Sequence, residues 1–331
     1  MNYSTCIQSI KDKGFELTAL EVFKYQYKNV LVYQKFCDLL HKNPNTVQQL
    51  TEVPFLPITF FKDYEIKNKK FSRFSEVFTS SGTTGSTPSK HFVPEVKEYE
   101  ANFKMNFEHF YGPIEDNVIL GLLPSYLERT GSSLIYMVNS MIAESNFSES
   151  GFFLNNHQDL LAALKSITEK GKKALLIGVS FALLDLAENY AKELNELNLT
   201  RVIVMETGGM KGKRKEMIRQ ELHQKLSLGF GKSVIASEYG MTEMLSQSYA
   251  KENGFFECPP TLRFLLRDTE DPLNYVEPGR VGGINFIDLA NVNTLSFVAT
   301  QDLGKQLSST TFEILGRFDH SDIRGCNLMT M

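Results

Sequence analysis

Short apolar runs at 117–123, 173–178, 201–206 and 233–237 alternate with stretches of helical periodicity at 132–143, 158–170, 181–197 and 213–226. This alternation limits the fold more than any other feature of the chain. Strand, helix, strand in repetition predicts an α/β fold, a large mainly parallel sheet region with covering helices. Such sheets bind ligands beyond the carboxyl ends of their strands, so the loops that follow the apolar runs are where chemistry belongs. Upstream, periodicity over 18–40 predicts one long amphipathic helix ended by Asn43-Pro44. The segment Val-Pro-Phe-Leu-Pro-Ile-Thr-Phe-Phe at 53–61 is barred from regular helix by two prolines. It reads as core packing or as the wall of an apolar groove. From about 255 onward proline, glycine and β-prone residues dominate. The expected division is therefore an α/β region with a helical N-terminus at 1–254, and a smaller β-rich lobe with a short C-terminal tail at 255–331.

A length of 331 residues suits one large domain with a smaller lobe. The net charge of -4 argues against a general nucleic-acid binder. No apolar run approaches the roughly 20 residues that span a bilayer. Because the first residues lack the basic-then-apolar layout of a signal peptide, the expected location is the cytoplasm. Cys6, Cys37, Cys258 and Cys326 lie far apart without a Cys-x-x-Cys pair, so reduced thiols are expected rather than a zinc site or a disulfide framework.

Residues 78–90, Phe-Thr-Ser-Ser-Gly-Thr-Thr-Gly-Ser-Thr-Pro-Ser-Lys, combine hydroxyls, glycines and a cation after a short apolar run. Gly82 and Gly85 permit backbone angles that let successive N–H groups converge on an anion. Thr79, Ser80, Ser81, Thr83 and Thr84 add neutral donors, and Lys90 adds charge. The spacing fits neither the Walker loop nor Gly-x-Gly-x-x-Gly, and composition alone also fits a flexible linker. Three further loops follow apolar runs. Leu-Pro-Ser-Tyr-Leu-Glu-Arg-Thr-Gly-Ser-Ser at 123–133 is either a site loop or an ordinary helix entry. Glu-Thr-Gly-Gly-Met-Lys-Gly-Lys-Arg-Lys at 206–215 clusters Lys211, Lys213, Arg214 and Lys215 at a predicted helix start, where they oppose the helix dipole unless an anion gathers them. A solvated basic face is the alternative. In Ser-Glu-Tyr-Gly-Met-Thr-Glu at 237–243, Glu243 is a hard oxygen ligand suited to magnesium, Thr242 a phosphate donor and Tyr239 a platform for a purine, unless the stretch is a plain turn. In the β-rich lobe Asp302 suits two ribose hydroxyls and Arg317 suits a nucleotide.

The order of these pieces resembles the motif series of the adenylate-forming superfamily from Phe78 to the end: a Ser/Gly/Thr phosphate loop, Tyr-Gly-x-Thr-Glu, Thr-x-Asp-Leu-Gly, then Gly-Arg-x-Asp. Within it, Pro-Ser-Tyr-Leu-Glu-Arg, Glu-Thr-Gly-Gly-Met-Lys-Gly and Asp-Ile-Arg-Gly-Cys are similar to the acyl-protein synthetase (LuxE-type) branch. The resemblance implies ATP and Mg2+ as cofactors, with Thr79 to Lys90 on the phosphates and Tyr239 with Gly240 at the adenine. It assigns Thr242 and Glu243 to phosphate and magnesium, Asp302 to the ribose and Arg317 to the nucleotide. Full-length members continue past Gly-Arg-x-Asp into a mobile domain with a catalytic lysine, whereas this sequence ends at Met331. Lys90 and Lys211 with its neighbours, or a partner, are then expected to supply that charge.

The implied reaction is ATP-dependent activation of a carboxylic acid, fatty by the resemblance, as an acyl-adenylate, followed by transfer to a thiol. Candidate acceptors are Cys326 itself and, as partners, a reductase, an acyl carrier protein or coenzyme A. Arg324 stands two residues from Cys326 and favours its thiolate. A small buried apolar role is the alternative for that cysteine. The rival from another class is a non-catalytic nucleotide-binding subunit that scaffolds a partner enzyme.

Overall fold

The computed structural model describes residues 1–80, 87–124, 131–154, 156–210, 214–215, 217–277 and 279–318. The chain forms two compact units, one of Met1–Val77, Gly82–Glu95 and Glu257–Met331, the other of Phe78–Ser81 and Val96–Phe256. The chain passes from one unit to the other after Val77, Ser81, Glu95 and Phe256.

In the first unit, α1 (Tyr3–Lys13) starts at Asn2, whose Oδ1 accepts the Thr5 N–H at 2.9 Å while the Asn2 N–H reaches the Thr5 hydroxyl. This reciprocal pair satisfies backbone donors that a helix start leaves open. The single helix expected over 18–40 is two, α2 (Phe15–Asn29) and α3 (Leu31–Leu39). Val30 between them is extended (φ -112°, ψ 98°) and bridges to Asn68, an arrangement that the apolar period on both sides does not reveal. The proline-containing segment becomes β1 (Leu56–Pro57) and α4 (Phe60–Asp63), with Val53, Phe55, Leu56, Ile58 and Phe61 buried. Core packing is thus its role. Next, β2 (Glu76–Thr79) and β3 (Lys90–Val93) pair as a two-stranded sheet.

In chain order the second unit holds α5 (Val96–Tyr111), β4 (Val118–Leu122), α6 (Ser133–Glu144), β5 (Gly151–Phe152), α7 (His157–Glu169) and β6 (Ala174–Val179). It continues with α8 (Ser180–Asn189), α9 (Ala191–Asn195), β7 (Val202–Thr207), α10 (Arg219–Phe230), β8 (Ala236–Tyr239), β9 (Ser248–Ala250) and β10 (Phe255–Glu257). The strands run β10-β9-β8-β7-β6-β4-β5, and β8, β7, β6, β4 and β5 are mutually parallel. Every residue of β4 and β6 is buried. That is why these strands read as continuous apolar runs and not as alternation. The helix expected over 181–197 breaks at Tyr190 into α8 and α9.

Where α8 and α10 cross, a Cβ added to Gly229 would lie 2.4 Å from the Ala187 Cβ and 2.7 Å from its carbonyl oxygen. Backbone contact this close leaves no room for a side chain. Gly229→Val should therefore cost about 3 kcal/mol through overpacking, read as a lowered urea midpoint with unchanged slope.

Returning to the first unit, β11 (Leu262–Arg267), β12 (Val281–Asp288), β13 (Phe297–Gln306) and β14 (Thr311–Arg317) form an antiparallel series. On β13, β1 adds in parallel, Leu56 opposite Val298. The N-terminal helices are fastened to these strands by Gln26 of α2. Its Nε2 donates to the carbonyls of Asn291 and Val292 at 2.8 and 3.0 Å, and its Oε1 accepts the Ser296 N–H at 2.9 Å. A fully buried amide must find such partners. Rings of Phe23, Tyr33 and Phe55 pack on Phe297 of β13.

Candidate active site

In the second unit the polar groups gather at the carboxyl ends of β7 and β8, where a parallel sheet places its ligand loops. Glu206 and Thr207 close β7 opposite Ser237 and Glu238 of β8. The buried Glu206 carboxylate accepts from Ser180 Oγ at 3.2 Å and Arg219 Nε at 3.2 Å, and His223 Nε2 stands 3.5 Å away. The same His223 nitrogen lies 3.1 Å from Ser237 Oγ. Burial pushes this carboxyl up, but His223, Arg219 and Ser237 together hold it below its ordinary value. It is therefore an ionised anchor that ties Ser180 of α8 and Arg219 of α10 to the end of β7.

Glu238, one strand over, is different. Its main influence is burial, which raises its pKa to about 7 against the opposing hydrogen bond from the Thr207 hydroxyl, with the charge of Glu206 adding to the rise. A Cβ on Gly240 would meet Glu238 Oε1 at 2.6 Å, so the loop after β8 folds closely over this carboxyl and needs glycine there. The folded state holds the Glu238 proton more tightly than the unfolded chain, whose ordinary value is 4.5. The stabilisation is fully present below that value and is lost as pH rises through about 7. Denaturant melts should lose on the order of 2 kcal/mol between about pH 5 and 8. In Glu238→Gln this slope should vanish; an unchanged slope would place the titration elsewhere.

The loop Tyr239, Gly240, Thr242 and Glu243 continues directly from β8. The Tyr239 ring sits 5.8 Å from that of Phe256, Thr242 is half-buried and Glu243 is buried. Thr79 and Ser80 stand at the end of β2, and the Thr79 N–H donates to the Gly131 carbonyl at 2.7 Å. This bond joins the start of the 78–90 loop to the segment entering α6. Below it, the Phe78 ring packs on Tyr99 and Tyr136 at 5.3 and 5.6 Å.

Within the first unit, Lys90 is exposed at the head of β3. Asp302 of β13 and Arg317 of β14 are opposed in register, with Arg317 Nε 3.3 Å from Asp302 Oδ1. Asp302 is buried, whereas the Arg317 side chain is 69% exposed. An acceptor held in place thus stands beside a donor free to reach outward.

Ser81, Gly82, Thr83, Thr84, Gly85, Lys211, Lys213 and Cys326 lie outside the described residues, as does most of the 123–133 loop. The basic cluster needs one correction. The helix expected from 213 begins at Arg219, so Arg214 and Lys215 precede it rather than oppose its dipole. Arg214 is already engaged by Asp185 and, at 2.8 Å, by Glu188 of α8. The cation in the first turn is Arg219, whose partner is the buried Glu206.

Sequence reasoning missed Glu238, His223, Arg219 and the buried Arg267 of β11. An acid closing an apolar run, as in Ile-Val-Met-Glu at 203–206 and Ile-Ala-Ser-Glu at 235–238, was the available signal for the carboxylates. Among the described residues no helix is long and apolar enough to cross a membrane. Nor do those residues contain a group of three or more His, Cys, Asp and Glu side chains that could hold a metal.

This mixed α/β fold, with its mainly parallel sheet, is that of the adenylate-forming enzymes. A 2-hydroxyisobutyryl-CoA ligase, solved in an open conformation with 2-HIB-AMP and CoA, superposes with a TM-score of 0.69 at 13% identity, covering 92% of this chain and 70% of that one. MatB from Rhodopseudomonas palustris with ATP bound gives 0.55 at 15% identity, over 86% of this chain and 56% of that one. Residues 6–331 match the family model described as acyl-protein synthetase, LuxE, and the chain belongs to that family. It is similar to the long-chain-fatty-acid–luciferin-component ligases of Vibrio harveyi and Aliivibrio fischeri, each 22% identical. The alignments cover 92% and 93% of this chain and 84% and 85% of those proteins. As an acyl-protein synthetase the protein is a ligase, and its general activity is acyl activation and transfer.

Proposed function

We propose that this enzyme activates a carboxylic acid, a fatty acid by its kinship, with ATP and transfers the acyl group to a thiol. In the first step a carboxylate oxygen bonds to the α-phosphorus, the bond to the β-phosphate oxygen breaks and pyrophosphate leaves. In the second a thiolate bonds to the acyl carbon, the acyl–oxygen bond breaks and AMP leaves. The single observation that best supports the reading is the Asp302–Arg317 pair, a buried acceptor beside an exposed donor, suited to the ribose hydroxyls and a phosphate of one nucleotide. Tyr239 and Gly240 would border the adenine. Backbone N–H groups and hydroxyls of Thr79, Ser80, Ser81, Gly82, Thr83, Thr84 and Gly85, with Thr242, Lys90 and Lys211, would bind the phosphates and offset their negative charge.

A buried carboxylate on a loop of hydroxyls fits a magnesium ion that keeps waters and phosphate oxygens as its other ligands, and Glu243 is that carboxylate. When bound, the ion neutralises phosphate charge. The acyl acceptor is Cys326, an acyl carrier protein or coenzyme A, and a reductase would take the acyl group onward.

The test is exchange of labelled pyrophosphate into ATP across a panel of acids from acetate to long-chain fatty acids. Exchange that depends on a long-chain acid is expected. Nucleotide binding without exchange for any acid would overturn the proposal and leave a nucleotide-binding scaffold for a partner enzyme.

A further inference from the structure

Arg267, at the end of β11, carries a guanidinium buried to 7% exposure. Burying a cation is costly unless every N–H finds a partner. Here Nη1 donates to the Ile284 carbonyl at 3.1 Å and to Asn285 Oδ1 at 2.8 Å, and Nη2 donates to the Thr300 carbonyl. The chain is shaped for this group in two ways. A Cβ on Gly283 would fall 2.7 Å from the Arg267 Cζ, so glycine is what lets the guanidinium lie across β12. The β12–β13 register also shifts between Gly283 and Asn285, at the residue whose carbonyl receives Nη1.

The partners converge on one turn. Thr300 Oγ1 donates to the same Ile284 carbonyl at 2.8 Å and accepts the Asp302 N–H at 3.2 Å. On the other side the guanidinium packs 5.4 Å from the ring of Phe318, whose N–H donates to Gln301. Phe318 immediately follows Arg317. Burial lowers the Arg267 pKa to about 10, and the charge of Asp302 resists the fall, so the two groups feel each other across the turn.

We propose that Arg267 is a positioning residue that fixes the Thr300–Asp302 turn so that Asp302 accepts both ribose hydroxyls, giving the enzyme its preference for ribonucleotides over nucleotides lacking those hydroxyls. This rests on the nucleotide reading above. Arg267 touches no nucleotide itself; it acts through the Thr300 carbonyl and the charge on Asp302. Methionine would take the guanidinium donor from Asn285 Oδ1 and the Thr300 carbonyl and leave the Ile284 carbonyl with Thr300 Oγ1 alone, and lysine, with a single-point ammonium, would not reproduce the planar fork.

The experiment measures Kd for ATP and for 2′,3′-dideoxy-ATP by calorimetry, in the parent and in Asp302→Asn, Arg267→Met, Arg267→Lys and Gly283→Ala. The parent should prefer ATP by roughly 10- to 100-fold, as charge-assisted hydrogen bonds from the hydroxyls allow. Asp302→Asn and Arg267→Met should each lose most of that ratio, with dideoxy-ATP affinity changed less than about threefold. Arg267→Lys should lie between. Gly283→Ala displaces the guanidinium while leaving Asp302 and Thr300 intact, and it decides the matter should Arg267→Met fail to fold. A parental ratio in folded Arg267→Met and Gly283→Ala, with the ratio lost in Asp302→Asn, would overturn the role of Arg267 alone. A parent with no preference would overturn the assignment of Asp302 to the ribose and this inference with it.

Discussion

Acid-dependent pyrophosphate exchange is expected to fall by about 10²- to 10³-fold in Glu243→Gln and by about 10²-fold in Lys90→Ala, magnitudes typical of deleting one electrostatic contact in a transition state. The carboxylate that attacks the α-phosphate and the phosphate oxygens it approaches repel each other. Whatever gathers positive charge around them therefore lowers the barrier. Glutamine at 243 keeps shape and hydrogen bonding in a buried place but removes the negative charge that would hold magnesium. Its apparent affinity for ATP should then respond less to added magnesium than the parent's, a binding readout separate from turnover. Lys90 is exposed at the start of β3, so its replacement should alter stability by no more than about 0.5 kcal/mol. A loss of exchange in a stable Lys90→Ala protein thus reports on charge rather than folding. Unchanged exchange in both variants would remove the proposed phosphate site.

The parallel sheet was legible because strands covered on both faces cannot alternate. β6, from Ala174 to Val179, is buried at every position and reads as one apolar run. The same reasoning located the loops after β7 and β8, since the end of each run is visible in the residues. It failed where structure depends on distant partners. Nothing local marks Gln26 as the residue that fastens α2 to Asn291, Val292 and Ser296, some 270 positions away, and so the grouping of the first 77 residues with the C-terminal strands was unreadable. Periodicity likewise runs through Val30, which one extended residue removes from the helix.

For the site, Tyr239, Glu243, Asp302 and Arg317 were named from their residue types and their order along the chain. Their supports were not. Glu206, Glu238 and Arg267 sit in apolar runs, and what each does is set by neighbouring elements: Ser237 of β8 and His223 of α10 for the first, Thr207 of β7 for the second, Ile284 of β12 and Thr300 of β13 for the third. Gly282 and Gly283 lie inside β12 and make space for β11 and its arginine, a close approach that no local pattern announces.

Hydroxylamine-sensitive label is expected on Cys326 when the protein is incubated with ATP, magnesium and a labelled long-chain acid, and it should be absent from Cys326→Ser. Thiolate, not thiol, attacks an acyl-adenylate, so the choice among the four cysteines turns on access and ionisation. Cys6, Cys37 and Cys258 are buried. Burial pushes the Cys37 thiol up to about 12, which leaves almost no thiolate at neutral pH. Cys326 lies outside the described residues; in the sequence Arg324-Gly-Cys-Asn-Leu it has a cation two positions away and a glycine before it, which favour ionisation and close approach. Mass spectrometry of the labelled peptides locates the thioester, while pyrophosphate exchange in Cys326→Ser, expected to equal that of the parent, shows that the first half-reaction is intact. Label absent from Cys326, with Cys326→Ser transferring to coenzyme A or a carrier protein as fast as the parent, would mean that the adenylate is attacked directly by the external thiol.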